Sequence, residues 1–169
     1  AWRDAHPAIQ KFWADVDKAA VSALKGVPAK AGKIWFSKNG SWLRMKLPSG
    51  RFICYPGARL EDGGVGTGTF SYMGINQYSR KWERLKAYAG RAVENATQAA
   101  AADILIGAMD SIEKAGFEIV FSVHDEFITE ADLSKDNTEL ERLMSTPPSW
   151  APDLPLAAAG FTSLRYRKD

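Results

Sequence analysis

Phe117 to Glu130 reads Phe-Glu-Ile-Val-Phe-Ser-Val-His-Asp-Glu-Phe-Ile-Thr-Glu. β-Branched and aromatic residues stand on both sides of His124-Asp125-Glu126, the composition of two strands leaving a tight bend. The stretch is therefore predicted as a β-hairpin with an acidic tip. Adjacent carboxylates repel each other, a cost tolerated where a cation compensates. Carboxylate oxygens suit a hard divalent ion, so Asp125 and Glu126 are candidate metal ligands for Mg2+. The same three residues also suit an ordinary surface turn, and their context has to decide.

The rest of the chain alternates helical and strand patterns. Ile9, Phe12, Trp13, Val16, Ala20 and Leu24 recur at three and four, which predicts an amphipathic helix from Trp2 to Lys25, ended by Gly26-Val27-Pro28. Lys33 to Ser37, Trp42 to Leu47 and Phe52 to Pro56 read as three short strands of an antiparallel meander, with Asn39-Gly40 as the hairpin signal. Glu61 to Gly68 is Gly-rich but lacks the Gly-Lys-Ser/Thr ending of a phosphate loop, so a plain loop is expected there. Thr69 to Ile75 and Arg80 to Tyr88 form another predicted hairpin, whose second strand carries Arg80, Lys81, Arg84 and Lys86. That strip reads equally as a solvated strand or as a set of phosphate contacts. Gly90 to Lys114 is predicted helix, with Val93, Thr97, Ala101, Leu105, Ala108 and Ile112 as its apolar stripe and Gly116 as its stop. Ala96 and Ala99 to Ala102 make its middle narrow. Asn137 to Ser145 reads as a short helix, and Leu154 to Lys168 as a last strand with a basic end.

Composition narrows the class. The 169 residues are 46% hydrophobic and 25% charged, which suits one globular domain spanning 1–169. A net charge of +2 does not by itself announce a nucleic-acid binder. The single cysteine, Cys54, excludes an intramolecular disulfide framework and suits a reducing cytoplasm; within its apolar run it is expected in the core. No apolar run reaches the roughly 20 residues of a membrane span.

Several of these elements, in this order, resemble the C-terminal part of the palm of family A DNA polymerases, the DNA polymerase I type, and especially its phage-like members. Val123-His124-Asp125-Glu126 resembles their last catalytic motif, motif C. Glu94-Asn95-Ala96-Thr97-Gln98-Ala99 with Asp103 resembles the helix that precedes it. Trp2 to Pro7, Leu47-Pro48-Ser49-Gly50-Arg51 with Tyr55, and the Trp150 to Arg167 ending resemble further elements of the phage-like members. Local departures are Ala102 where Arg is usual, Ala89-Gly90-Arg91-Ala92 for a common Gly-Gly-Lys-Leu, and Ala159 for an acid.

The resemblance implies an α+β palm portion built of antiparallel hairpins and packed helices. It implies that Asp125 is a catalytic metal ligand, that Glu126 is a nearby, weaker or water-mediated carboxylate, and that His124 sits by the primer terminus. Gln98, and less directly Asn95, would reach the minor-groove edge of the primer-template duplex, where acceptors are present at every base pair. Arg91, Arg84, Arg80 and Lys81 are the candidate DNA-backbone contacts. Nucleotidyl transfer in that family uses two Mg2+ ions held by carboxylates from two strands, with dNTP as substrate. The other aspartate motif, Asp-Tyr-Ser-x-x-Glu-x-Arg, and the nucleotide-binding fingers helix are not found in this sequence, so both are expected upstream of Ala1. The chain alone would then hold an incomplete metal site and be inactive, and the face left by the missing palm strand would favour self-association. The competing readings are a non-catalytic duplex-binding module and a metal-dependent phosphohydrolase or nuclease. The latter would need more carboxylates or histidines than surround this hairpin.

Overall fold

In a computed structural model, residues 2–61 and 69–166 are described. They fall into two compact units, Ala1–Ala100 and Ala101–Asp169. The mixed α+β architecture expected from the sequence is present, and every strand pairing is antiparallel. The Gly-rich loop lies, from residue 62 onward, outside the described residues, as do Arg167 and Lys168.

The first unit opens with α1 (Trp2–Ala5) and α2 (Pro7–Leu24). One continuous helix was expected; the break falls at His6, whose φ of −129° and ψ of 60° are not helical. Pro7 is the cause, because its ring disfavours the helical region for the residue before it while suiting the first position of the next helix. Val16, Ala19, Ala20, Ala23 and Leu24 of α2 are buried. They face a four-stranded meander, β1 (Ala29–Ala31), β2 (Ile34–Asn39), β3 (Trp42–Lys46) and β4 (Phe52–Tyr55), in sequential order. Strand alternation sends Phe36, Leu43 and Met45 into that interface. β1 pairs with β2 over only three residues, too short a run for a periodicity argument to find.

The β2–β3 turn is Gly40-Ser41, with Asn39 and Trp42 as the last paired residues. It is displaced by one residue from the Asn-Gly signal, and Gly40 supplies the positive φ, 57°, at the first turn position. Cys54 is exposed rather than in the core. Its neighbour Tyr55 points inward and is buried, and the two-residue period of a strand places Cys54 on the other face.

A second sheet holds β5 (Arg59–Leu60), β6 (Phe70–Ile75) and β7 (Trp82–Ala87) in sequential order. The β6–β7 hairpin turns at residues 76–81, where the Asn76 side chain accepts from the backbone N–H groups of Tyr78 (2.8 Å) and Ser79 (3.3 Å). The two sheets meet through aromatic rings: Tyr55 is edge-on to Phe70 (5.5 Å) and to Tyr72 (5.0 Å). The helix α3 (Ala89–Lys114) follows. Its buried positions in this unit are Ala92 and Ala96, with Val93 and Ala99 packed beside them. Thr97 and Ala101, expected in the apolar stripe, are exposed. A helix of alanines presents little apolar area on any side, so tertiary packing chose the buried face.

The second unit takes the end of α3, the hairpin β8 (Glu118–Val123) and β9 (Glu126–Glu130), and α4 (Asn137–Met144). Gly116, at φ 82°, ends α3 as expected, and Ile112 and Phe117 are buried. The last strand expected from Leu154 onward does not form: residues 154–166 are neither helix nor strand. Its backbone is held by side chains of the preceding segment instead, with Ala158 N–H donating to Ser145 Oγ (2.9 Å) and Gly160 N–H to Glu141 Oε1 (2.9 Å). No helix among the described residues is long and apolar enough to cross a membrane.

Candidate functional site

The hairpin tip is built as the sequence implied, and its details add chemistry. β8 and β9 pair from Glu118↔Glu130 to Val123↔Glu126, leaving His124 and Asp125 as a two-residue turn. His124 has φ 55° and Arg80 φ 57°; they are the non-glycine residues at positive φ among those described. The β2–β3 turn places glycine at the equivalent first position. Histidine thus stands at a position where the β2–β3 turn has glycine. Such an exchange costs conformational energy, the kind of strain that collects at functional sites. Val120 interrupts the ladder between the pairs at Ile119 and Phe121, and a bulge of this kind changes the aim of the strand beyond it.

His124, Asp125 and Glu126 are all exposed. Among the described residues neither carboxylate of the hairpin has a hydrogen bond or an ion pair. Its base is anchored elsewhere, by Ile119 N–H donating to Glu113 Oε1 (2.8 Å) on α3 and by Phe121 edge-on to Tyr166 (5.5 Å). Oxygen donors free toward solvent fit a hard cation. No group of three or more His, Cys, Asp or Glu side chains that could hold a metal occurs among the described residues. Two carboxylates without further ligands hold Mg2+ loosely, since that ion keeps much of its water and leans on substrate phosphates.

His124→Gly is expected to leave the melting temperature unchanged or raise it, by up to about 1 kcal/mol of stability, because glycine adopts this turn without a Cβ clash. A fall in stability would show that the imidazole supports the fold.

The other predicted residues lie in the first unit. Arg91, Asn95 and Gln98 follow one another at four and three, one stripe of α3. Gln98 is exposed. Asn95 is partly committed: its Nδ2 donates to the Tyr55 hydroxyl at 3.1 Å. Burial pushes that hydroxyl up to about 12, the bond from Asn95 opposes the rise, and Tyr72 adds to it. Tyr55 therefore stays neutral and fixes the Asn95 rotamer. Arg91, Glu94 and Asn95 line a cleft of about 300 Å³ with Tyr72, Tyr78 and Leu85. A larger hollow between α2 and β1, about 480 Å³, contains none of the predicted site residues.

The basic strip of the β6–β7 hairpin is less uniform than its sequence. Arg80 and Lys81 are exposed in the turn. Arg84 instead points back, its Nη1 donating to Gly57 O (3.0 Å) and to Ser71 Oγ (3.0 Å). Fully buried Ser71 in turn donates to Glu61, and this bond, with Arg59 and Lys86 nearby, holds the Glu61 carboxyl below its usual range. Arg84 and Lys86 thus belong partly to a polar clamp around Ser71. The sequence reading also missed Arg51, whose Nη2 donates to Ala99 O of α3 at 2.8 Å. The turn Leu47-Pro48-Ser49-Gly50-Arg51 so ties the meander to the helix that carries Gln98.

The chain is 39% identical over 174 residues to a DNA polymerase of Bacillus phage SP02, and the match takes in all of this chain. The chain is homologous to part of that polymerase. It spans 26% of the polymerase's length. No family profile matches the chain, and no solved structure matches it.

Proposed function

We propose that this chain is the portion of a template-directed DNA polymerase, of the family A type, that supplies the motif C carboxylates and a duplex-contacting helix. The observation that carries the reading is the His124-Asp125 turn, strained and solvent-facing, with two carboxylates that have no hydrogen bond or ion pair among the described residues, in a chain homologous to a phage DNA polymerase. Asp125 would be the metal ligand and Glu126 a weaker or water-mediated one. When bound, Mg2+ would lower the pKa of the attacking hydroxyl and neutralise charge on the phosphates. The protein's own contribution is positional. The hairpin presents Asp125 in its two-residue turn and Glu126 at the start of β9, and His124 stands beside them at the site proposed for the primer terminus. Gln98 on α3 offers amide hydrogen-bonding groups to the minor groove, and the Arg51 and Tyr55 bonds hold α3 against the sheets. Exposed Arg80, Lys81 and Arg91 offer charge to the DNA backbone.

Because the sequence contains neither the second aspartate motif nor the fingers helix, the isolated chain is expected to bind primer-template weakly and without sequence preference. Its affinity should fall steeply with salt as counterions are released. With Mg2+ and dNTPs it should extend no primer. Fluorescence anisotropy across a salt series and a gel extension assay check both points. Strongly sequence-selective or salt-independent binding, or extension that persists through further purification, would overturn this reading.

A further inference from the structure

The outer face of the β1–β4 meander carries three aromatic rings where a solvated sheet would carry polar side chains. Trp35 (49% exposed), Trp42 (45%) and Phe52 (45%) stand on it, and Lys30, Arg44 and Lys46 lie between them by strand register. One row across the sheet reads Lys30, Trp35, Lys46, Phe52. The cations lie against the rings: Lys30 Nζ is 5.7 Å from the Trp35 centroid, and Arg44 and Lys46 are 5.9 Å and 6.0 Å from that of Phe52. Arg44 Nε is buried and has no hydrogen-bond partner among the described residues.

Charge is as one-sided as the rings. Residues 18–60 contain nine Lys and Arg and no Asp or Glu, although the whole chain holds 20 acids against 22 bases. An overall charge of +2 conceals this acid-free segment. Trp35 and Phe52 sit two strands apart, a separation of about 10 Å at ordinary strand spacing. A flexible single strand can bridge that gap with two bases that are not immediate neighbours, the nucleotide between them passing over Lys46. Double-stranded DNA hides its base faces, so a duplex cannot stack on these rings.

We propose that this sheet face is a binding platform for single-stranded DNA, with bases stacked on Trp35 and Phe52 and phosphates against Lys30, Arg44 and Lys46. Stacking on aromatic side chains next to basic groups is sequence-tolerant, because every base has a π-face. In a polymerase, the natural occupant is unpaired template. The choice of DNA rests on the polymerase reading above, but no residue of the β8–β9 hairpin enters the test. Failure here together with a strong Asp125 effect would remove only the platform.

The test uses the 169-residue chain with fluorescein-labelled oligothymidine, a duplex of the same length, and labelled polyphosphate as a polyanion without bases. Single strand should bind more tightly than duplex. Trp35→Ala and Phe52→Ala should each weaken oligothymidine binding about tenfold and leave polyphosphate binding unchanged. Trp35→Phe, which keeps a ring, should retain most of the affinity. On the unaltered protein, ultraviolet cross-linking of a bromouracil strand followed by peptide mapping should mark the β2 or β4 peptide, which removes any dependence on how the variants fold. Equal loss of polyphosphate and oligothymidine, unchanged binding in both alanine variants, or cross-links confined to other peptides would overturn the proposal. So would a chain that is dimeric in sedimentation and becomes monomeric on Trp35→Ala with no change in oligothymidine affinity, since the face would then cover a second copy.

Discussion

Asp125→Asn, made in a polymerase carrying this segment, is expected to lower single-turnover nucleotide incorporation about a thousandfold or more, roughly 4 kcal/mol of transition-state stabilisation. The substitution keeps the size of the side chain and removes the charge a metal ligand must supply. DNA affinity and melting temperature should change little, because the Asp125 carboxylate has no hydrogen-bond or ion-pair partner among the described residues. Glu126→Gln should cost less, about ten- to a hundredfold, the scale seen for partners that act through a ligand or a water. If the pair only shaped a turn, both substitutions would relieve like-charge repulsion and leave incorporation normal. A fully active Asp125→Asn enzyme would remove the hairpin from the catalytic centre. A large drop in melting temperature with proportional loss of activity would assign Asp125 to the fold instead.

Phe70→Ala is expected to have the largest effect on stability, about 3–5 kcal/mol, the range for removing a buried aromatic ring. That is a large fraction of the roughly 5–15 kcal/mol that separates a folded domain from its unfolded chain. Phe70 is 1% exposed and its ring meets both Tyr55 and Tyr72. Tyr55 in turn receives the amide of Asn95, so a cavity at Phe70 loosens the support of the α3 face that carries Gln98. Duplex affinity should therefore weaken even under conditions where the variant remains folded. The comparison is Tyr78→Ser at the β6–β7 turn, where the ring is 96% exposed and the cost should stay within about 0.5 kcal/mol. Urea unfolding monitored by circular dichroism measures both. A Phe70→Ala cost below about 1 kcal/mol would mean that the two sheets do not share one core.

Local signals sufficed where local physics decides. The run of β-branched and aromatic residues around His124-Asp125-Glu126 specified a hairpin, and Gly116 specified the end of α3, because strand alternation and a positive-φ stop depend on near neighbours alone. The acidic tip was legible for the same reason: turn position and side-chain chemistry are written in consecutive residues.

Other features depended on which surfaces met. Cys54 sits in an apolar run that looks buried from either side, and only the β3–β4 register decided that Tyr55 goes in and Cys54 out. The alanine-rich middle of α3 has no dominant face, so the sheets beneath it selected Ala92 and Ala96 and left Thr97 exposed. The tail after Leu154 has strand-like composition but finds Ser145 and Glu141 side chains as partners, and a strand cannot form without another strand to accept its ladder. Arg84 looked like part of a free basic strip until folding placed Gly57 O and Ser71 Oγ within its reach. The sequence by itself determined the β8–β9 hairpin, the end of α3 and the residues of the acidic turn. Tertiary structure decided which cations are tied down and which rings are left facing water, because those outcomes depend on partners distant in the chain.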